Sequence, residues 1–356
     1  MPKAWVFLVV NMLLAACSRE AAVPSVPQEA SNVVAGQRLY GRYCALCHGK
    51  EGIGYAADNA TQLNNPTFLS TASTSFIWLA IEHGRPGTAM AGYGTELGGP
   101  LSPEQVKSIV DYLRSLGPAR TVDLEDVRID GEPDRGRPLY EAQCAVCHGV
   151  GGKGGEAPGL GNPYFLATAS DGFIRYAIEH GRPGTPMKAY GKQLTDEQMN
   201  DLTRYIRAWS STVSFDGRRG AEKPTLDDLV VNPGGGDPSW GPLRDGRYVS
   251  AVKVRDALQR GDRMVILDAR ATSDWMKSHI PGAYPLPYYA EEIPTDLLHK
   301  LPRDGTWIIA YCACPHAASG MVVDKLRAAG FTRTAIIDEG ILEWVRRGYP
   351  IRFGET

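Results

Sequence analysis

Cys44-Ala45-Leu46-Cys47-His48-Gly49 returns further along the chain as Cys144-Ala145-Val146-Cys147-His148-Gly149. The likeness extends on both sides. Gly36-Gln37-Arg38-Leu39-Tyr40 precedes the first copy and Gly136-Arg137-Pro138-Leu139-Tyr140 the second. Downstream, Ala80-Ile81-Glu82-His83-Gly84-Arg85-Pro86-Gly87-Thr88 recurs over residues 177–185, and a methionine follows in step, Met90 and Met187. Each copy closes on apolar residues at helical spacing. They are Val106, Ile109, Val110, Leu113 and Leu116 after Ser102-Pro103-Glu104, then Met199, Leu202, Tyr205, Ile206 and Trp209 after Thr195-Asp196-Glu197. Each copy therefore reads as helix, cysteine motif, long loop, short helix, methionine loop, final helix. Two copies are too few for a stacked solenoid and predict two related globules in tandem.

Cys-x-x-Cys-His has a mechanical purpose. Two thiols add to the vinyl groups of a haem, and the adjacent imidazole lies under the iron, so attachment and the first axial ligand come together. A zinc half-site would want a second Cys or His pair within each copy, and none exists. A thioredoxin-type redox pair would not call for His at the next position twice. The pattern predicts two covalently attached haem c groups, on Cys44, Cys47 and His48 and on Cys144, Cys147 and His148.

These segments resemble the class I cytochromes c, over residues 34–120 for a first domain and 130–212 for a second. The resemblance implies a mostly α-helical fold and a thioether as sixth iron ligand, here Met90 and Met187. His83 and His180 recur in the same register and compete for that role. The methionines fit the family's Gly-Thr-x-Met loop better. Arg85 and Arg182 are candidate partners for haem propionates, since guanidinium matches carboxylate. Tyr93 and Tyr190 read as haem-edge or packing residues. A haem with both axial positions filled points to electron transfer.

Residues 213–245 read as a linker marked by Pro233-Gly234-Gly235-Gly236-Asp237-Pro238. Beyond it, buried-strand runs at Met264–Leu267 and Trp307–Tyr311 alternate with helical stretches at Val252–Gln259 and Met321–Ala329. That alternation predicts an α/β domain with a parallel sheet over residues 246–356. Leu267-Asp268-Ala269-Arg270, Ser278-His279-Ile280-Pro281-Gly282-Ala283 and Gly348-Tyr349-Pro350 resemble the single-domain rhodanese family. The resemblance implies a nucleophilic, sulfur-carrying cysteine just after the strand ending at Tyr311, which is Cys312. A loop leading into a helix N-terminus there would lower a thiol pKa and cradle an anion. The loop departs from the family. It is one residue longer, Ala317 and Ala318 stand where an arginine is usual, and Cys314 and His316 are added. Cys312, Cys314 and His316 are the candidate catalytic residues. A strained Cys-x-Cys disulfide would suit a redox catalyst more than a structural staple.

Residues 1–17 read as a lipoprotein signal: Lys3, an apolar run from Ala4 to Leu14 too short to span a bilayer, then Leu14-Ala15-Ala16-Cys17, with Cys17 as the lipidated residue. Residues 18–33 read as a flexible tether. Location in the bacterial periplasm, with membrane attachment through the lipid, follows. The 38 basic residues balance 40 acidic ones, which argues against nucleic acid as a partner. The expected partners are redox proteins: other cytochromes, a terminal oxidase or a quinol-linked complex, with a small sulfur compound as possible substrate. Three readings remain open. They are an electron carrier coupled to sulfur chemistry, a sulfurtransferase with accessory haem domains, and a carrier with a non-catalytic docking module.

Overall fold

The computed structural model describes residues 28–57, 59–213, 225–313 and 316–353. Cys17 with the expected export signal, and Cys314, lie outside the described residues. The first repeat folds as α1 (Gln28–Tyr43), α2 (Ala45–His48), α3 (Pro66–Thr71), α4 (Thr74–His83) and α5 (Pro103–Ser115). The second follows as α6 (Pro133–Gln143), α7 (Ala145–His148), α8 (Pro163–Thr168), α9 (Asp171–His180) and α10 (Asp196–Arg207). Helix α1 begins inside the stretch expected to be tether. The closing helices start at reciprocal caps. Ser102 accepts from the Gln105 N–H while the Gln105 side chain accepts from the Ser102 N–H, and Thr195 and Gln198 do the same for α10.

In each repeat the first helix crosses the last so closely that only glycine fits. A Cβ on Gly36 would lie 1.9 Å from the Ser108 carbonyl oxygen on α5, and one on Gly136 would lie 2.2 Å from that of Asp201 on α10. Past the crossing, the Tyr40 and Tyr140 hydroxyls each donate at 2.9 Å to the carbonyl after the cysteine motif, Gly49 and Gly149. The apolar stripe of α5 (Val106, Ile109, Val110, Leu113) and that of α10 (Met199, Leu202, Ile206) are buried. Arg114 and Arg207 then tie these helices to the ends of α3 and α8, donating to the carbonyls of Leu69 and Ala72 and of Leu166 and Ala169.

The C-terminal part is an α/β domain. Its elements are β1 (Val230–Val231), β2 (Tyr248–Val249), α11 (Ala251–Arg260), β3 (Met264–Asp268), α12 (Thr272–Lys277), β4 (Ser278–His279), β5 (Tyr284–Pro285), α13 (Thr295–Lys300), β6 (Trp307–Tyr311), α14 (Ala317–Ala328), β7 (Thr334–Ile337), α15 (Gly340–Arg346) and β8 (Arg352–Phe353). The main sheet runs β1-β3-β6-β7-β2, with β5 beside β3. All its pairings are parallel except β1 with β3. Strand residues alternate between two apolar layers. Val265, Leu267, Ile308, Ala310 and Cys312 face one, and Met264, Ile266, Ile309 and Tyr311 the other. Part of the expected linker belongs to this domain: Val230 pairs with Val265, and Leu229 and Trp240 are buried. Its Gly-rich composition hid two apolar anchors. The architecture is a helical region followed by an α/β domain with a mostly parallel sheet.

Gly136→Ala should destabilise the second repeat by about 1–3 kcal/mol through forced separation of α6 and α10. Denaturant unfolding followed by haem absorbance measures the loss.

Candidate functional site

The short helices α2 and α7 carry the cysteine motifs and end in His48 and His148. The Nδ1 of His48 meets the Thr61 carbonyl at 2.9 Å, and that of His148 meets the Pro158 carbonyl at 2.9 Å. A carbonyl only accepts, so Nδ1 carries the proton and Nε2 is the nitrogen with a lone pair, the form in which an imidazole can ligate a metal. Burial lowers the pKa of both rings, which keeps them neutral as a metal ligand requires. Burial also pushes the Cys44 thiol up to about 12 and the Cys144 thiol up to about 11.

The methionine turns are built identically. The N–H of Arg85 donates to the Met90 carbonyl at 2.7 Å, and the Met90 N–H donates to the Thr88 hydroxyl at 3.1 Å. In the second repeat the Arg182 N–H reaches the Met187 carbonyl at 2.9 Å and the Met187 N–H the Thr185 hydroxyl at 3.2 Å. Arg85 lies over the Phe76 ring and Arg182 over Phe173, each 5.2 Å from the ring centre. Burial lowers the pKa of both guanidiniums to about 10. Neither forms an ion pair with a carboxylate among the described residues. A half-buried cation without a carboxylate partner among the described residues fits a ligand that brings its own, as haem does. His83 is buried beside Glu82, at 3.7 Å, and His180 stacks on Tyr176 with ring centres 3.9 Å apart. The two histidines thus sit in different surroundings, whereas the methionine turns match.

The two repeats meet through a pseudo-symmetric contact that the sequence reading missed. Asn65 caps α3 and donates its amide to the Pro183 carbonyl at 2.9 Å, while Asn162 caps α8 and donates to the Pro86 carbonyl at 3.0 Å. Each cap thus grips the other domain's Arg-Pro-Gly turn. Phe76 packs against Phe173 at 5.1 Å and Phe165 at 6.0 Å, and Phe68 against Phe173 at 6.3 Å. The repeated Asn-Pro pairs were the available signal.

In the α/β domain Cys312 follows β6 and is only 5% exposed. Its Sγ lies 3.2 Å from the Ser319 hydroxyl on α14. His316, at the start of α14, has a left-handed backbone, φ 82. Its Nε2 is 2.8 Å from both the carbonyl and the carboxylate of Asp338, and its ring lies 4.2 Å from that of Tyr248. Arg244 grips the same carboxylate at 2.8 and 2.5 Å. The Arg244 hydrogen bond, then that of His316, holds the Asp338 pKa below the usual carboxylate range. His316 is therefore engaged in anchoring the loop. Asp268, Arg270 and Tyr311 form a separate buried network under the sheet edge. Arg270 and Tyr311 both meet the Asp268 carboxylate at 2.6 Å.

Two families account for these parts. The family described as cytochrome c oxidase, cbb3-type, subunit III matches residues 31–113 and 131–206, and the rhodanese-like domain family matches 250–347. The chain carries a tandem cytochrome c region, which implies covalently bound haem c, followed by a rhodanese-like domain. It is similar to the cbb3-type cytochrome c oxidase subunit FixP of Azorhizobium caulinodans, 31% identical over 48% of this chain and 57% of that one. It is also similar to the cbb3-type cytochrome c oxidase subunit CcoP of an Azospirillum species, 28% identical over 48% and 60% of the two chains. The chain thus spans less than two thirds of the length of these relatives. Over 31% of this chain and 21% of that one it is 25% identical to the crystal structure of thiosulfate sulfurtransferase from Pseudomonas aeruginosa, with a TM-score of 0.26.

Asp338→Ala, in a Cys314→Ser background, should raise the alkylation rate of Cys312 about tenfold, equivalent to about 1.4 kcal/mol of loop closure. Because the Asp338 pKa is depressed, its stabilisation is complete above the ordinary carboxylate value of about 3.9 and is lost as pH falls through the lower folded value. Thermal unfolding of Asp338→Asn should therefore lack that part of the acid dependence.

Proposed function

We propose that the chain is an exported dihaem electron-transfer protein whose rhodanese-like domain brings sulfur chemistry to the haems. The observation that supports this most is the duplication of a whole donor set. Cys44 and Cys47 would hold one haem c, with His48 and Met90 as axial ligands and Arg85 at a propionate. Cys144, Cys147, His148, Met187 and Arg182 would do the same for the second. The haem supplies a one-electron couple when bound, with no open position for substrate. The protein's part is to orient each imidazole through its carbonyl, hold each methionine turn and keep the two domains in contact.

Cys312 is the proposed nucleophile. Its thiolate attacks the outer sulfur of a sulfane donor. The donor's S–S bond breaks, a new S–S bond forms on Cys312, and the donor leaves as a thiolate from a persulfide or as sulfite from thiosulfate. Oxidation of the outer sulfur with water as oxygen source then releases two protons and two electrons, one for each haem. Cys314 would be the neighbouring thiol, and His316 the anchor of the loop. A second reading, a non-catalytic docking module, is favoured by the burial of Cys312 and by the engagement of His316 with Asp338.

Periplasmic location and a lipid on Cys17 belong to the same proposal, with other cytochromes, a terminal oxidase or a quinol-linked complex as partners. No helix among the described residues is long and apolar enough to cross a membrane. Cys17→Ser should move the protein from the membrane to the soluble fraction.

The central test follows the visible spectrum of the oxidised haem protein on addition of sulfide, thiosulfate or a persulfide donor. Haem reduction slowed at least about tenfold by Cys312→Ser is the expected result. Reduction indifferent to Cys312 would leave the docking-module reading.

A further inference from the structure

The repeat provides an internal control for what the third domain does. In the second haem domain, Tyr190 follows the Met187 turn, and its hydroxyl donates directly to the Gln143 carbonyl at 3.4 Å. Gln143 is the last residue before Cys144. This bond joins the methionine loop to the haem-attachment segment. The matching residues of the first domain are Tyr93 and Tyr43, the latter just before Cys44. There the direct bond is replaced by a longer chain. The Tyr93 hydroxyl is 2.8 Å from that of Tyr288, and the Tyr288 hydroxyl donates to the Tyr43 carbonyl at 2.5 Å. A carbonyl only accepts, so the Tyr288 proton is committed to Tyr43, and Tyr93 must donate to Tyr288.

Tyr288 belongs to the rhodanese-like domain, and its own backbone is fixed. Its N–H reaches the Ala269 carbonyl at 3.0 Å, and its carbonyl accepts from Lys325 on α14 at 3.0 Å. The contact around it is specific. Ser273 donates to the Gly92 carbonyl, Arg42 pairs with Glu291 at 2.9 Å, and Tyr289 packs edge-on against Tyr43 at 5.0 Å. Tyr43, Tyr93 and Tyr288 are all buried. A hydroxyl or carbonyl stripped of its partner in such a place loses a hydrogen bond that water cannot replace.

We infer that Tyr288 is a positioning residue for the methionine loop of the first haem domain, so that the rhodanese-like domain governs the iron ligation of that haem and not of the other. The inference rests on Met90 being the sixth ligand, and it goes beyond the sulfur chemistry of Cys312. The Tyr93–Tyr288–Tyr43 chain spans from the segment carrying Met90 to the segment carrying Cys44. Breaking it loosens the turn that must present the thioether to iron. The second domain closes the same gap by itself and needs no help.

The experiment uses the full-length holoprotein and two readouts, a potentiometric titration and the methionine-to-iron charge-transfer band followed as pH is raised. For Tyr288→Phe, one of the two midpoint potentials should fall. Half of the band amplitude should be lost at a lower pH than in the parent protein, while the other half is unchanged. Tyr93→Phe keeps the Tyr288 to Tyr43 bond and the domain contact, so it must reproduce the effect even if Tyr288→Phe disturbs folding. Tyr190→Phe should instead move the other haem. Unchanged potentials and bands in both Tyr288→Phe and Tyr93→Phe, or equal changes at both haems, would overturn the inference. Failure of Cys312→Ser to slow haem reduction would leave it standing. Absence of a methionine band from the parent protein would remove the ligation reading on which it depends.

Discussion

Two helix backbones touching at a glycine set the geometry of each cytochrome unit. At Gly36 and Gly136 the first helix lies so near the last that the neighbouring carbonyl occupies the space of a side chain. That contact fixes where the first helix ends, and the cysteine motif begins there. The tyrosine one turn beyond the crossing then ties down the carbonyl after the motif. The methionine loop hangs from α4 by the Tyr93 N–H to the Ile81 carbonyl at 2.9 Å, and from α9 by the Tyr190 N–H to the Ile178 carbonyl at 3.0 Å. Helix α4 in turn packs on α5, and α9 on α10. Both sides of the haem space are therefore referred to one crossing, and a shift there would displace the imidazole and the thioether relative to each other.

The two units share this frame but differ in what covers them. In the first, α14 of the rhodanese-like domain lies against α2. In the second, Val146 on α7 is 79% exposed, whereas its counterpart Leu46 on α2 is half-buried. Their mutual contact is nearly symmetric, through Asn65, Asn162 and the phenylalanine cluster. The third domain thus breaks the symmetry of the pair, while the cysteine motifs and methionine turns are built alike in both repeats.

Much of this was legible in the sequence because repetition separates constraint from chance. The cysteine motifs, the methionine turns, the capped closing helices and the buried strands all carry local patterns, so their positions and types follow from spacing. What the sequence hides is contact between distant segments. Tyr288 and Tyr289 carry no motif, and the role of Tyr93 as donor to another domain depends on how three chain segments meet. Asn65 and Asn162 read as ordinary helix caps, although each also serves the opposite domain. Val230, Val231 and Trp240 were lost among glycines and prolines because two adjacent apolar residues make too short a pattern to mark a strand. His316 read as a candidate catalytic residue because its partner, Asp338, arrives from the end of a different strand.

Helix α14 links the rhodanese-type site to the first cytochrome domain. Helix α14 holds three relations at once: Ser319 to Cys312, Lys325 to the Tyr288 carbonyl, and its flank to α2. A movement of the whole helix to uncover Cys312 would pull on the contact with the first haem domain. His316, just before the helix, has a left-handed backbone that costs roughly 1–2 kcal/mol for a residue with a side chain. Asp338, itself gripped by Arg244, offsets the strain from outside the loop. The start of the helix is therefore held through His316 by Asp338, and its body through Ser319 by Cys312 and through Lys325 by the Tyr288 carbonyl. One helix therefore connects the segment of Cys312, the nucleophile of the function proposed above, to the tyrosine link with the first cytochrome domain.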